Sequence, residues 1–157
     1  MKPASFLLVV DDIVASRSFY ENVLSQTVLF DFGANIVLSG GFALQAKDVW
    51  CEFIDASADE ILKNTKNMEV YFEEDDFESF LLHLKACDGI NYVHEMKEYP
   101  WGQCVVRFYD PDQHIIEVGE SMESVARKLF KMGLSVEEVA ERTEHPIEFV
   151  KASLGIA

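Results

Sequence analysis

The chain has 157 residues, 49% of them hydrophobic and 12% aromatic, and carries a formal charge of −15. That length supports one sizeable core, and no apolar run reaches the 18 residues of a membrane-spanning helix. Residues 1–118 hold 8 Lys/Arg against 21 Asp/Glu, an acidic body that repels phosphate backbones and anionic membranes, so neither nucleic acid nor membrane is an expected partner.

Phe6 to Val10 is short, apolar and rich in β-formers, which predicts a buried strand. Asp12 follows as a helix cap, because its carboxylate can accept the free amide hydrogens of a first turn. Val14, Phe19, Tyr20 and Val23 give that helix an inward face up to Leu24-Ser25. Thr27 to Phe32, Ile36 to Leu38 and Phe42 to Gln45 read as three strands, with Gly33 and Gly40-Gly41 at the turns.

Residues 46–68 are less regular. They contain Trp50 and a predicted short helix over Ser57 to Lys63, where Ser57 and Glu60 have capping-box spacing. This stretch is either a plain connector or a lid over a cavity.

The first pattern then repeats. Val70 to Phe72 is a strand, Asp75-Asp76 cap a helix with Phe77, Phe80, Leu81 and Leu84 inward, and Asn91 to His94, Cys104 to Phe108 and Ile115 to Val118 are strands. The two aspartate pairs lie 64 residues apart, each between a strand and a helix. Half of such a unit exposes a sheet face, and a second copy is a natural cover. Residues 120–157 predict three helices: Met122 to Met132, one capped by Ser135 with Glu138, and one opened by Pro146. Lys151 against Glu144 and Glu148 gives the last of these no basis for reading DNA, so packing on the main domain or a partner subunit is expected.

Three cysteines, Cys51, Cys87 and Cys104, form no close pair and no zinc-type spacing, and read as small buried hydrophobes. Met1-Lys2 opens no secretory signal pattern, so a cytoplasmic location is expected.

Three groups of residues carry a family resemblance. The first is Val9-Val10-Asp11-Asp12-Ile13 leading to Ser18-Phe19-Tyr20 and Val23-Leu24. The second is Glu74-Asp75-Asp76-Phe77 with Phe80 and Leu84-Lys85-Ala86. The third and most specific is Trp101-Gly102, then Phe108-Tyr109-Asp110-Pro111-Asp112-Gln113-His114-Ile115-Ile116-Glu117. Over residues 5–119 the chain resembles the vicinal oxygen chelate superfamily, which holds glyoxalase I, extradiol dioxygenases and bleomycin-resistance proteins. The resemblance implies an α+β fold of paired βαβββ modules, about 5–46 and 68–119, forming an open barrel-like cleft. It thus divides the chain into a domain over 1–119 and a helical tail over 120–157.

The resemblance also implies a divalent metal held by strands of both modules. The corresponding positions fall on Ser5, near Ala43, and on Glu69 and Glu117. A serine hydroxyl is a poor ligand at neutral pH and alanine offers nothing, so Glu69 and Glu117 are the candidate metal ligands. Two carboxylates suit hard ions such as Mg²⁺ or Mn²⁺; tight zinc or iron binding normally adds histidine. The cofactor expectation is therefore none, or a weakly held divalent ion (Mg, Mn, Ni or Zn).

Glu117, between Ile116 and Val118 in a strand, points opposite to both. Facing a cleft it is a candidate catalytic base; facing solvent it is inert. Gln45, Trp50, Tyr92, His94, Trp101 and Arg107 are the candidate ligand-binding residues. Tyr92 and His94 share one strand face, whereas parity alone leaves Arg107 free to face either way. His114 is read as a brace for the Asp110–Asp112 turn.

Three functions follow. The first is a protein binding a small organic molecule with an incomplete metal site. The second is a divalent-metal lyase, isomerase or dioxygenase using Glu69 and Glu117. The third is an interaction module docking through the tail. The expected partners are a small organic molecule and a second copy of the chain, as a homodimer.

Overall fold

A computed structural model describes residues 1–2 and 4–156. Its first module runs β1 (Phe6–Val10), α1 (Ile13–Leu24), β2 (Val28–Asp31), β3 (Asn35–Leu38) and β4 (Phe42–Ala46). After α2 (Lys47–Phe53), the second runs β5 (Glu69–Glu74), α3 (Phe77–Ala86), β6 (Asn91–Glu98), β7 (Cys104–Tyr109) and β8 (Ile115–Glu120). The two four-stranded sheets have equivalent orders, β1-β4-β3-β2 and β5-β8-β7-β6. This is the α+β arrangement of paired βαβββ modules. Three helices follow: α4 (Met122–Lys131), α5 (Val136–Thr143) and α6 (Ile147–Leu154). No helix among the described residues is long and apolar enough to cross a membrane.

By contacts the chain forms two compact units. The first contains Met1–Glu69, Cys87–Asn91 and Tyr109–Ile115. In its sheet β1 lies parallel to β4, with Phe6 opposite Phe42 and Val10 opposite Ala46; β3 runs antiparallel to both β4 and β2. The Asp12 carboxylate accepts the Val14 and Ala15 amide hydrogens at 2.9 and 3.0 Å, fixing the start of α1. Tyr20 and Val23 of this helix are buried, as are Leu8, Val10, Leu38, Phe42 and Leu44 of the sheet. Tyr20 meets Phe42 edge-on, with ring centroids 5.3 Å apart.

The 109–115 turn locks into the same unit. The Tyr20 hydroxyl donates to Asp110 at 2.9 Å, and Asp110 accepts the Asp112 and His114 amide hydrogens. His114 Nδ1 lies 2.8 Å from the same carboxylate, so this histidine braces the turn. Burial, and secondarily Asp110, pushes the Tyr20 phenol well above its ordinary pKa.

The second unit contains Val70–Ala86, Tyr92–Phe108 and the chain from Ile116 onward. Its sheet buries Val70, Val105, Val106, Phe108, Ile116 and Val118, with Phe77 and Leu84 of α3 also buried. The three C-terminal helices enclose Val125, Ala126, Leu129, Val139, Ala140 and Val150. They belong to this unit: Lys128 donates to the Gly102 carbonyl at 3.0 Å and pairs with Glu120 at 2.6 Å. Ser135 and Glu138 form the reciprocal cap of α5.

The region between the modules differs from the sequence expectation. Its helix is α2, at Lys47–Phe53, while Ser57 to Lys63 holds a single 3₁₀ turn over Ala58–Glu60. The Ser57 amide and hydroxyl both donate to Glu60 at 2.8 Å, so the capping pair is real but stops after one turn. Strand β6 also continues to Glu98, four residues past the predicted end.

Candidate functional site

A polar cluster of the second unit is built on β6, β7 and β8. On β8, Ile116 and Val118 are buried on one face, and Glu117 between them points to the other while remaining only 7% exposed. On β7, Val106 and Phe108 are buried and Arg107 alternates with them. Register brings Arg107 to Glu117: Arg107 Nη2 forms an ion pair with Glu117 Oε2. That oxygen is closed to solvent and has no other hydrogen bond among the described residues. The orientation of Arg107, undecided by strand parity, is thereby fixed.

Arg107 Nη1 donates to the Tyr99 hydroxyl at 2.6 Å and sits 3.3 Å from His94 Nε2. Its guanidinium carbon lies 5.7 Å from the Tyr99 ring centroid, a cation–π distance. Tyr99 stacks on Trp101 with centroids 4.7 Å apart. The Trp101 indole N–H donates to Gln103 at 2.9 Å, and Gln103 in turn donates to the Tyr71 hydroxyl and the Glu120 carbonyl. Burial first, then the bond to Glu73, raises the Tyr71 pKa to about 12, so that phenol stays protonated at neutral pH.

The structure thus brings together His94, Arg107 and Glu117 directly, and Trp101 through Tyr99. Tyr92 is half-buried on β6, as is His94, with exposed Val93 between them. Gln45 and Trp50 belong to the first unit. The Gln45 amide is buried and committed within its own sheet, donating to the Ala34 carbonyl and accepting from Asn35, each at 3.0 Å. Trp50 is half-buried on α2, and Glu69 is exposed at the start of β5.

Sequence reasoning missed Tyr99 and Gln103. Gln103 had a readable signal, being a polar residue two positions after Trp101 and four before Arg107 at the mouth of an apolar strand. Tyr99 lies in the bend after β6, where strand parity says nothing.

The superfamily's metal positions can be tested against this chemistry. The Ser5 hydroxyl is placed to donate to the Phe6 and Gly41 carbonyls. Ala43 is buried and has no donor atom. Glu117 already faces a guanidinium. Among the described residues, no three His, Cys, Asp or Glu side chains gather as a metal site. Of the four positions, Ala43 offers no side-chain ligand atom and Glu117 is already paired with Arg107.

The family model described as a glyoxalase-like domain matches residues 4–123. The chain belongs to the glyoxalase-like family. Solved structures resembling this glyoxalase-like protein include a protein of unknown function from Agrobacterium tumefaciens, 33% identical, with a TM-score of 0.68 over 77% of this chain and 94% of that one. A glyoxalase/bleomycin resistance protein/dioxygenase from Nocardioides is 20% identical, with a TM-score of 0.60 over 76% of this chain and 83% of its own. A lactoylglutathione lyase from Agrobacterium tumefaciens is 22% identical, with a TM-score of 0.57 over 77% and 95%. The last two establish the glyoxalase-like fold alone. No curated protein gives a significant match.

Proposed function

We propose that this glyoxalase-like protein binds a small organic molecule at the Arg107–Glu117 cluster and does so without a resident metal. The observation that carries the reading is the ion pair itself. A fixed guanidinium supplies the positive charge at Glu117 that a divalent ion would otherwise supply. Around it, His94 and the stacked Tyr99 and Trp101 supply flat apolar surface with a few fixed polar groups, the composition of small-molecule sites. The ligand that fits is a compact organic molecule with an unsaturated or apolar body for Trp101 and an acceptor group for the cationic end. Arg107 then orients that acceptor, and Glu117 holds Arg107 in place.

The test is a fragment library screened by ligand-observed NMR, with hits re-measured on Arg107→Met and Trp101→Ala. Hits weakened about tenfold or more by both changes support the reading. Hits indifferent to both, or binding that requires an added divalent ion, would overturn it.

A further inference from the structure

The stretch between the modules covers a second and separate feature. Within the first unit, residues 61–66 lie over β1 and the 112–115 turn and border a partly open cavity of about 190 Å³. Its walls are mainly apolar, with Leu7, Val9, Ile61, Met68 and Ile115 among them. Pockets for drug-sized ligands run to roughly 300–1,000 Å³, and this space is smaller. It therefore suits a molecule of a few heavy atoms.

Charge is distributed around this cavity in an unusual way. The first unit has five lysines and arginines, Lys2, Arg17, Lys47, Lys63 and Lys66, within a strongly acidic chain. Three of them, Lys47, Lys63 and Lys66, line this one cavity, against two carboxylates, Asp11 and Asp112.

Both carboxylates are committed. Asp11 pairs with Lys47 and Lys63. Asp112, 4% exposed, accepts from Lys63 at 2.8 Å, from the Asp11 amide at 3.0 Å and from the Ser16 hydroxyl at 3.1 Å. Lys66 is left over. It forms no ion pair among the described residues and is exposed at the cavity's edge.

The backbone that presents Lys66 is also unusual. Asn64 and Lys66 both adopt left-handed conformations, with φ of 56° and 57°. Such conformations are unfavourable for a residue with a side chain, lysine more so than asparagine, and they persist where the surroundings impose them. Lys63, three residues earlier, bridges Asp11 and Asp112.

We infer that this cavity is a binding site for a small organic carboxylate, with Lys66 meeting the carboxylate and the β1 side chains meeting a short hydrocarbon body. The apolar walls favour a carboxylate with an alkyl group over a bare inorganic anion. The site stands independently of the Arg107–Glu117 cluster and does not rest on it.

The experiment titrates butyrate, acetate and inorganic phosphate into the ¹⁵N-labelled full chain at constant ionic strength and follows amide shifts. Butyrate should shift Thr65, Lys66 and His114 saturably in the millimolar range, more tightly than acetate or phosphate. Lys66→Gln should weaken butyrate at least about fivefold, and Lys66→Arg should retain it. Lys66 is exposed, so both variants should keep dispersed spectra, and Lys131→Gln serves as a control without effect. Unsaturable shifts, equal binding by Lys66→Gln, or phosphate matching butyrate would each overturn the assignment.

Discussion

Replacing Arg107 with methionine keeps most of the side chain's bulk but leaves the Glu117 carboxylate buried without its cation. Removing one partner of a buried ion pair typically costs about 3–5 kcal/mol. Arg107 is 22% exposed and Glu117 10% exposed by side chain, so water relieves part of that and about 2–3 kcal/mol is expected. For a chain of this size that corresponds to a Tm lowered by about 4–12 °C. The assay is urea unfolding followed by tryptophan fluorescence and far-ultraviolet circular dichroism. The informative comparison is the double variant Arg107→Met, Glu117→Leu. Replacing a buried pair by apolar residues is often neutral or stabilising, so the double variant should recover most of the loss. A single variant costing under about 0.5 kcal/mol, or a double variant as unstable as the single one, would refute the claim that Glu117 is held by Arg107.

Other consequences can be checked in the same preparations. Gly102 has φ of +87°, and a Cβ there would stand 3.4–3.5 Å from Leu129 and Val125; Gly102→Ala should cost about 1–2 kcal/mol, chiefly through backbone strain, in a urea titration. Hydrogen bonds from Lys47, then Lys63, hold Asp11 below its ordinary pKa, and Asp11, then Asp112, raises Lys63 above its own. The Asp11 contribution is present above about pH 4 and lost as pH falls through the lowered value; the Lys63 contribution is present below about pH 10 and lost as pH rises through the raised one. The Tm deficit of Lys63→Met should therefore be largest between these limits and shrink beyond each, and a deficit independent of pH would contradict the pairing. Burial first, with Glu120, raises the Cys104 thiol to about 11, which leaves about one thiolate in a thousand at pH 8. Mass spectrometry should find Cys104 resistant to iodoacetamide in the native chain and alkylated once the chain is unfolded in urea.

The repeated order of elements was legible because each module starts with the same physical signal, an apolar strand followed by aspartates and an amphipathic helix. The caps at Asp12 and Ser135 were legible for the same local reason. Helix α2 was not: Lys47–Phe53 buries none of its residues, so no apolar face marked it. The C-terminal half of β6 was equally silent, since Glu95 to Glu98 are all exposed. At the candidate site, His94, Trp101 and Arg107 could be nominated by residue type, and Glu117 through the family resemblance. Their association could not, because it depends on the register between β6, β7 and β8. Sequence spacing within one strand does not carry that information. Tyr99, which joins Arg107 to Trp101, lies past the end of β6, where strand parity gives no signal. Lys66, without an ion pair among the described residues, emerged only once Lys47 and Lys63 were seen to take up Asp11 and Asp112.

Arg107 is proposed to stand at Glu117 in place of a metal. Elemental analysis tests that most directly, using protein soaked in Mn²⁺ or Ni²⁺ and desalted. The prediction is well under one equivalent of metal, unchanged by Glu117→Ala. One equivalent retained by the wild-type chain and lost in Glu117→Ala would contradict it.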